Sequence, residues 1–142
     1  MYLWFTPKGS ESLILDPFAG GSVRGIVAER TGRKYIGIEL RKEQVNANVK
    51  NAEEIDCDLE KIQWINDNSL NVDKHISDNS ADLIFTCPPY HDLEKYSDLD
   101  DDLSNMDYED FCKTYTEILK KTSKKLKNNR FAIVVKIGRA HV

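Results

Sequence analysis

Long apolar segments are missing from this chain of 142 residues. A membrane-spanning helix needs about 18 or more consecutive apolar residues, and the sequence has no such run. Residues 1–5 also lack the basic region and cleavage site of a secretory signal peptide. We therefore expect a soluble cytoplasmic protein, built as one domain that is large enough to bury a core.

Cysteine is scarce as well, with only Cys57, Cys87 and Cys112 in the chain. An odd number of widely spaced cysteines fits neither a disulfide framework nor the paired spacing of a zinc site. The expectation is three free thiols and no structural metal.

The chain has no excess of positive charge, because its formal net charge is −4. DNA-binding proteins gain much of their affinity by neutralising phosphates with Lys and Arg, so a protein whose whole surface contacts nucleic acid is excluded. Two local basic clusters remain, and for each we favour a solvated helix end or turn over a DNA surface. They are Arg30, Arg33 and Lys34, and Lys120, Lys121, Lys124, Lys125, Lys127 and Arg130.

The common phosphate-binding glycine patterns, G-x-x-x-x-G-K-[ST] and G-x-G-x-x-G, are absent. The glycines that are present lie in D-P-F-A-G-G-S at residues 16–22, directly after the apolar run 13–15. This order indicates a buried strand that enters a loop. A helix capped by Ser22 should follow, with Val23, Ile26 and Val27 on its apolar face and Gly32 at its end.

The rest of the sequence alternates between strand and helix patterns. Strands are predicted at 35–38, 62–65, 83–85 and 131–135, and helices from Lys42 and from Asp107. Trp4, Trp64 and Phe111 are expected in the core, and the acidic segment 92–107 is either a loop over a site or a solvated connector. The alternation predicts an α/β fold with a mainly parallel sheet and helices on both faces.

Polar residues follow the predicted strands, where a parallel sheet with a topological switch binds its ligands. Asp16 ends the first strand, Glu39 ends the second about 20 residues later, and Asp67 lies near the end of the third. A carboxylate at the second strand suits the ribose hydroxyls of a nucleoside, and the site as a whole suits a nucleoside with a cationic amino acid part. S-adenosylmethionine has this composition.

Two motifs resemble those of the DNA amino-methyltransferases, which act on adenine N6 or cytosine N4. D-P-F-A-G-G at 16–21 is similar to their cofactor motif D-P-F-x-G-x-G, and T-C-P-P-Y at 86–90 is similar to their catalytic motif [DNS]-P-P-[YF]. The resemblance runs from Leu13 to about Val135 and is greatest to the phage-type DNA methylases. It implies a Rossmann-like methyltransferase fold, S-adenosyl-L-methionine as cofactor, and methyl transfer to an amino group of a base in a DNA substrate.

The resemblance also implies roles for the residues of the cofactor motif and of the following strand ends. Asp16 would organise the loop and contact the methionine end of the cofactor through its neighbours. Phe18 would pack near the cofactor, and Gly20 would admit it. Glu39 would hold the ribose hydroxyls, and Asp67 would accept a hydrogen bond from the adenine amino group.

In the catalytic motif of Cys87, Pro88, Pro89 and Tyr90, carbonyl oxygens near Cys87 and Pro88 would hold the target amino group. Tyr90 would stack on a base flipped out of the duplex. Cys87 departs from the family's Asp, Asn or Ser and is a weak hydrogen-bond acceptor. Its backbone oxygen could act alone, its lineage could tolerate the thiol, or activity could be lost. Covalent attack, as in cytosine-C5 enzymes, is not favoured, and His91 is expected to be a loop residue.

Other functions compatible with these motifs are methyl transfer to RNA or to a protein glutamine, and an inactive remnant that binds cofactor or DNA. Residues 137–142, I-G-R-A-H-V, resemble a translated sequencing adapter. We therefore expect residues 1–136 to be an incomplete methyltransferase core that lacks its terminal strands, and 137–142 to be a non-native tail.

Overall fold

The computed structural model describes residues 1–7, 12–90 and 97–136. Five strands and five α-helices lie in this part of the chain, with short 3₁₀ turns at Ser69–Asn71 and Leu103–Asn105. In chain order they are α1 (Tyr2–Phe5), β1 (Leu13–Asp16), α2 (Val23–Arg30), β2 (Lys34–Glu39), α3 (Lys42–Glu54), β3 (Ile62–Asn66), α4 (Val72–His75), β4 (Ala81–Thr86), α5 (Tyr108–Lys125) and β5 (Leu126–Val134).

The five strands form one parallel sheet in the order β3-β2-β1-β4-β5. The chain moves outward from β1 to β3 and then crosses back to place β4 on the other side of β1. The topological switch therefore lies between β1 and β4, where a parallel sheet opens a crevice at its carboxyl edge. The predicted fold class is confirmed.

Successive residues of β1 face opposite sides of the sheet, as the pleat requires. Ile14 belongs to a core that includes Tyr35, Trp64 and residues of α1, α2 and α3. Leu15 belongs to a second core with Ile38 and with Val72 of α4. Both Ile14 and Leu15 are fully buried. Helices thus cover both faces of the sheet, and β1 is its buried centre.

Helix α2 differs from its prediction in the face that it buries. Val23 and Val27 are 70% and 44% exposed, while Gly25 and Ala28 are the buried residues. A Cβ atom at Gly25 would lie 2.7 Å from Trp64 Cζ2, so the missing side chain lets the helix approach β3. Ile26 packs against the core as predicted, but Val23 and Val27 were predicted wrongly, because close approach of the backbone, rather than side-chain size, decides this contact.

Helix ends follow the predicted signals only in part. Ser22 occupies the N-cap of α2, but its side chain makes no capping hydrogen bond and instead accepts one from Asn51 Nδ2 at 3.3 Å. Gly32 follows the helix with φ +77°, a left-handed conformation that suits glycine. In α5, Asp107 is the N-cap, and its Oδ1 accepts from the backbone N–H of Asp110 at 2.9 Å, so the helix begins where it was predicted to begin.

Strand β5 begins at Leu126, five residues before the predicted start. Its pairing with β4 shifts between Ala81 and Leu83, and Asn129 has φ +57°. A bulge of this kind breaks the period-2 pattern on which the prediction rested. Trp4 was also predicted wrongly as a core residue, since it is 86% exposed, whereas Trp64 is 7% exposed.

The basic cluster near the end of α5 was expected to be solvated, but part of it is internal. Lys125 is buried between Asp73 and Asp78, with Nζ 2.6 Å and 2.5 Å from their carboxylates. Lys127 Nζ lies 3.0 Å from the buried carboxylate of Asp82, and Arg130 Nε lies 3.4 Å from it. These cations hold elements of the fold together.

All three cysteines are free thiols, as predicted. None of the helices in residues 1–7, 12–90 and 97–136 is both long and apolar enough to span a bilayer.

Candidate cofactor and active site

A cavity of about 350 Å³ opens at the carboxyl edge of the sheet, where β1 and β4 diverge. Both sequence motifs and parts of α5 form its walls. Its lining residues are Pro17, Phe18, Gly20, Gly21, Arg24, Ile38, Glu39, Leu40, Arg41, Asn68, Ser69, Cys87, Pro88, Pro89, Tyr90, Asp101, Asp102, Leu103, Thr114 and Ile118. The volume lies within the range of about 300–1,000 Å³ that is usual for small-molecule sites.

Asp16 lies beneath the cavity and is fully buried. Its Oδ1 accepts from the N–H of Phe18 at 3.1 Å and from the hydroxyl of Thr86 at 2.6 Å. Its Oδ2 accepts from Arg24 Nε at 2.5 Å and from the Tyr35 hydroxyl at 2.9 Å. One carboxylate thus ties the loop after β1 to α2, β2 and the end of β4. Its role towards the cofactor stays a prediction.

The charge state of this cluster follows from its surroundings. Burial and the nearby Asp16 carboxylate raise the pKa of Tyr35 well above its ordinary value, so its hydroxyl remains a donor. Burial tends to lower the pKa of Arg24, but Asp16 more than offsets this and the resulting pKa is raised. Arg24 therefore stays a cation.

Hydrogen bonds with β2 and α3 fix the conformation of the glycine loop. Gly20 has φ +56°, which favours a residue without a side chain. Its N–H donates to Glu39 Oε2 at 3.0 Å, and its carbonyl accepts from Asn48 Nδ2 at 2.8 Å. Gln44 Nε2 in turn donates to Asn48 Oδ1 at 2.9 Å, which fixes the orientation of the amide.

Glu39 stands at the end of β2 and is 8% exposed. Its Oε1 accepts from the Arg41 N–H at 2.9 Å and from Arg41 Nε at 3.2 Å. Gly20 is the donor to the other oxygen, Oε2, which retains acceptor capacity because a carboxylate oxygen has two lone pairs. Glu39 lines the cavity, so hydroxyl groups of a ligand can reach it.

Asp67 follows β3, yet the cavity is lined there by Asn68 and Ser69. The Asp67 carboxylate accepts from Asn71 Nδ2 at 2.8 Å and lies 2.6 Å from His75 Nε2. The hydrogen bond from His75 lowers the pKa of Asp67. The contact of Asp67 with an adenine amino group stays a prediction, and Asn68 and Ser69 are the cavity residues at this strand end.

The catalytic motif directly follows β4. Cys87, Pro88, Pro89 and Tyr90 all line the cavity, and Cys87 Sγ lies 3.9 Å from the Tyr90 hydroxyl. Thr86, the last residue of the strand, is buried and donates to Asp16. The same carboxylate therefore positions the cofactor motif and the root of the catalytic motif. His91 and residues 137–142 lie outside the described residues.

The third wall comes from α5 and the segment before it. Asp101, Asp102 and Leu103 line the cavity, so these three residues of the acidic segment lie at the site. Asp102 is buried and accepts from the hydroxyls of Ser97 at 2.6 Å and Ser104 at 2.8 Å.

Aromatic stacking joins this wall to the cofactor motif. The ring of Phe18 stacks on Tyr115 of α5 with centroids 6.1 Å apart, and Tyr115 stacks on Phe111 at 5.7 Å. The loop after β1 is thereby attached to the helix that faces the catalytic motif.

Sequence reasoning missed Arg24, which lines the cavity, and Asn48, which supports the glycine loop. Arg24 gave no motif signal, because its role depends on the fold bringing Asp16 beside it. Asn48 did leave a signal, since it interrupts the apolar spacing of Val45 and Val49 in α3. A polar residue at a buried helix position usually has a hydrogen-bond partner, and here that partner is the carbonyl of Gly20.

The residues present fit S-adenosylmethionine by chemistry. Glu39 offers acceptor capacity for ribose hydroxyls, and Asn68 and Ser69 offer polar groups at the neighbouring strand end. Arg24 and Arg41 are the cationic lining residues, which suits the carboxylate of an amino acid. Among the described residues, no group of three or more His, Cys, Asp or Glu side chains could hold a metal ion.

The fold and this cavity define a Rossmann-like protein of the S-adenosylmethionine-dependent methyltransferase class. The chain belongs to the family described as Conserved hypothetical protein 95, whose family model matches residues 1–138. The class predicted from the two motifs is confirmed.

Curated relatives match only a short segment. The Type II methyltransferase M2.LlaDCHI of Lactococcus lactis subsp. cremoris is 60% identical over 30 residues, which is 21% of this chain and 11% of that protein. The DNA adenine methyltransferase YhdJ of Escherichia coli (strain K12) is 45% identical over 38 residues, 27% of this chain and 13% of that protein. The chain therefore spans about an eighth of the length of these relatives or less.

Solved structures share the fold over most of this chain. SMU.1697c of Streptococcus mutans, in complex with SAH, has a TM-score of 0.68 at 13% identity and covers 92% of this chain and 65% of its own. An rRNA methylase from Streptococcus thermophilus has a TM-score of 0.63 at 12% identity, covering 87% of this chain and 60% of its own. Both matches show the architecture alone.

Proposed function

We propose that this chain is the catalytic core of an enzyme that transfers a methyl group from S-adenosylmethionine to an exocyclic amino group of a DNA base, adenine N6 or cytosine N4. The observation that carries the proposal is the shared cavity, in which the D-P-F-A-G-G loop and the C-P-P-Y segment face the same space. When bound, S-adenosylmethionine supplies an activated methyl group on its sulfonium.

The chain's own residues would bind and orient the two partners. The loop from Pro17 to Gly21 and Glu39 form the cofactor side of the cavity, and Cys87 to Tyr90 form the acceptor side. Backbone carbonyls of the proline segment can accept hydrogen bonds from a primary amine, and Tyr90 offers a ring for base stacking. Positioning of this kind can lower a reaction barrier by several kcal/mol.

DNA is the favoured acceptor because the two motifs resemble those of DNA amino-methyltransferases, and because a relative that is 45% identical over 38 residues is named a DNA adenine methyltransferase. RNA and protein glutamine carry the same kind of amino nitrogen and are the alternative acceptors. An inactive remnant that binds the cofactor is a second candidate, and the observation that favours it is the thiol of Cys87 where the motif has an amide, acid or hydroxyl.

The first test is calorimetric binding of S-adenosylmethionine and S-adenosylhomocysteine to the wild-type chain and to Glu39→Ala, with circular dichroism to monitor folding. We expect micromolar binding by the wild type and a loss of about tenfold or more in Glu39→Ala. Glu53→Ala, on the exposed side of α3, is the matched control and should bind as the wild type does. No binding by a folded wild-type chain would refute the proposal.

The acceptor is identified by methyl transfer from radiolabelled cofactor to unmethylated DNA, to RNA and to a glutamine peptide. Nucleoside chromatography of the product then separates N6-methyladenine from N4-methylcytosine. Transfer to RNA or peptide alone would exclude the DNA proposal. Cofactor binding without transfer to any acceptor would support the inactive remnant.

A further inference from the structure

We propose that Arg24 binds the carboxylate of the amino acid part of S-adenosylmethionine, an assignment that rests on the proposed cofactor. Arg24 belongs to neither sequence motif. Its side chain is 25% exposed and lines the cavity beside Phe18 and Gly20.

The guanidinium of Arg24 is fixed by three hydrogen bonds. Nε donates to Asp16 Oδ2 at 2.5 Å, and Nη2 donates to the carbonyls of Phe18 and Ala19, each at 2.7 Å. A guanidinium has five N–H donors, and the two at Nη1 have no partner among the described residues. A cation held in place with unused donors is preorganised for a carboxylate, since little conformational entropy remains to be lost.

The order of the strands matches the order of groups along the cofactor. From the β3 end, the cavity presents Asn68 after β3, Glu39 after β2, Arg24 beyond β1 and Cys87 after β4. Adjacent strands lie about 4.8 Å apart. If the ribose of S-adenosylmethionine lies at Glu39, its amino acid part therefore extends past β1. That part reaches Arg24 before it reaches the acceptor side of the cavity.

Arg41 is the other cationic residue of the cavity wall, but its position differs. It contacts Glu39 through both its backbone N–H and Nε, and its Nη2 donates to Gln44 at 3.3 Å. These bonds hold Arg41 at the carboxylate of Glu39, which is proposed to bind the ribose and lies one strand away from the loop after β1. Arg24 is therefore the cation at the amino acid end.

Calorimetry with two ligands tests the assignment without requiring catalysis. S-adenosylmethionine and its decarboxylated form share the adenine, ribose and sulfonium and differ only in the carboxylate. We expect the wild type to prefer the carboxylated ligand by about 10- to 100-fold, as charge-assisted hydrogen bonds allow. Arg24→Gln should reduce this preference by about tenfold, mainly by weakening binding of the carboxylated ligand.

The control is Arg30→Gln, the same substitution on the same helix at a side chain that is 52% exposed and outside the cavity. It should leave the preference unchanged. Because the preference is a ratio within one variant, a general weakening of the loop cancels out. An unchanged preference in a folded Arg24→Gln variant would overturn the assignment.

A spectroscopic measurement on the wild type covers the case in which Arg24→Gln fails to fold. The guanidinium resonances of ¹⁵N-arginine-labelled protein are recorded with each ligand, and Arg24 is assigned by its absence from the spectrum of Arg24→Lys. A shift of the Arg24 signal with the carboxylated ligand alone supports the proposal, and an equal shift with both ligands contradicts it. If neither ligand binds to the folded wild type, the proposed cofactor fails, and the assignment to Arg24 falls with it.

Discussion

Asp16 holds a carboxylate where water has no access, and four protein donors take the place of water around it. Burial of a charge is costly unless it is paired and hydrogen-bonded. The pairing with Arg24 satisfies this requirement, and it explains how a buried acid can stand at the end of the central strand.

Asp16→Asn should destabilise the protein by about 3–5 kcal/mol, because it leaves the Arg24 cation without its partner and presents an amide to the Tyr35 hydroxyl and the Thr86 hydroxyl. Urea denaturation followed by circular dichroism measures the change in the free energy of unfolding. Asp58→Asn is the control, since the ion pair of Asp58 with Lys61 is solvent-accessible and should contribute less than about 1 kcal/mol. Equal effects of the two substitutions would contradict this account of Asp16.

Cys87→Asn restores an acceptor side chain to the catalytic motif. If the proposed function holds and the weak acceptor limits the reaction, methyl transfer to DNA should rise by about tenfold, which corresponds to one additional hydrogen bond of about 1.4 kcal/mol in the transition state. Initial rates at saturating cofactor measure the effect. Cys112→Asn on α5, outside the cavity lining, should leave the rate unchanged. A rate that is not raised by Cys87→Asn would indicate that the backbone carbonyl alone serves.

At the scale of elements, the strands were predictable because short apolar runs end at polar residues, and a buried parallel strand requires that pattern. The start of β5 was not predictable, since the first half of this strand is polar and its register with β4 shifts between Ala81 and Leu83. Gly25 and Ala28, the most buried residues of α2, were missed for a different reason. Periodicity ranks side chains by hydrophobicity, and Gly25 has no side chain to rank.

Gly25→Ala tests this contact between α2 and β3. Alanine favours a helix over glycine by about 1 kcal/mol, but the new Cβ would lie 2.7 Å from Trp64 and 3.1 Å from Tyr35. The cost of overpacking should exceed the gain in helix propensity. We therefore expect a net loss of about 1–3 kcal/mol in the free energy of unfolding, measured in urea. Gly21→Ala, where a Cβ would meet nothing within 4 Å, should change stability by less than about 0.5 kcal/mol. A stabilised Gly25→Ala variant would show that the helix can move aside.

The site residues that could be predicted are those at the carboxyl ends of predicted strands. Asp16, Glu39 and the proline segment each occupy such a position, and the sheet brings them to one edge. Arg24 and Asn48 could not be found in this way, because both act from helices on the loop after β1, through contacts that exist only after the helices pack.

At the scale of the whole molecule, internal ion pairs make stability depend on pH. Burial tends to raise the pKa of Asp82, but the N–H of Leu13 and the ammonium of Lys127 lower it more, so the pKa in the folded state is depressed. A depressed carboxyl pKa stabilises the fold above its unfolded value of about 3.9, and this stabilisation is lost as the pH falls through the folded pKa.

We therefore expect the wild-type unfolding free energy to fall steeply below about pH 4, and Asp82→Asn to reduce that slope. The variant should be less stable than the wild type at pH 6, and the difference should shrink at pH 3. Thermal and urea denaturation across pH 3–6 measure both trends. An identical slope in the wild type and Asp82→Asn would mean that other carboxylates govern the acid response.

The central position of β1 has a consequence for the order in which the chain can fold. Its pairing with β2 involves near neighbours in sequence, whereas the bond from Thr86 to Asp16 spans 70 residues and that from Leu13 to Asp82 spans 69. Closing such long loops is slow compared with forming local pairs. During synthesis, β1, β2 and β3 can therefore assemble while Asp16 still lacks its donor from Thr86, and β4 then joins the two motifs at one edge before α5 and β5 complete the cavity wall and the core.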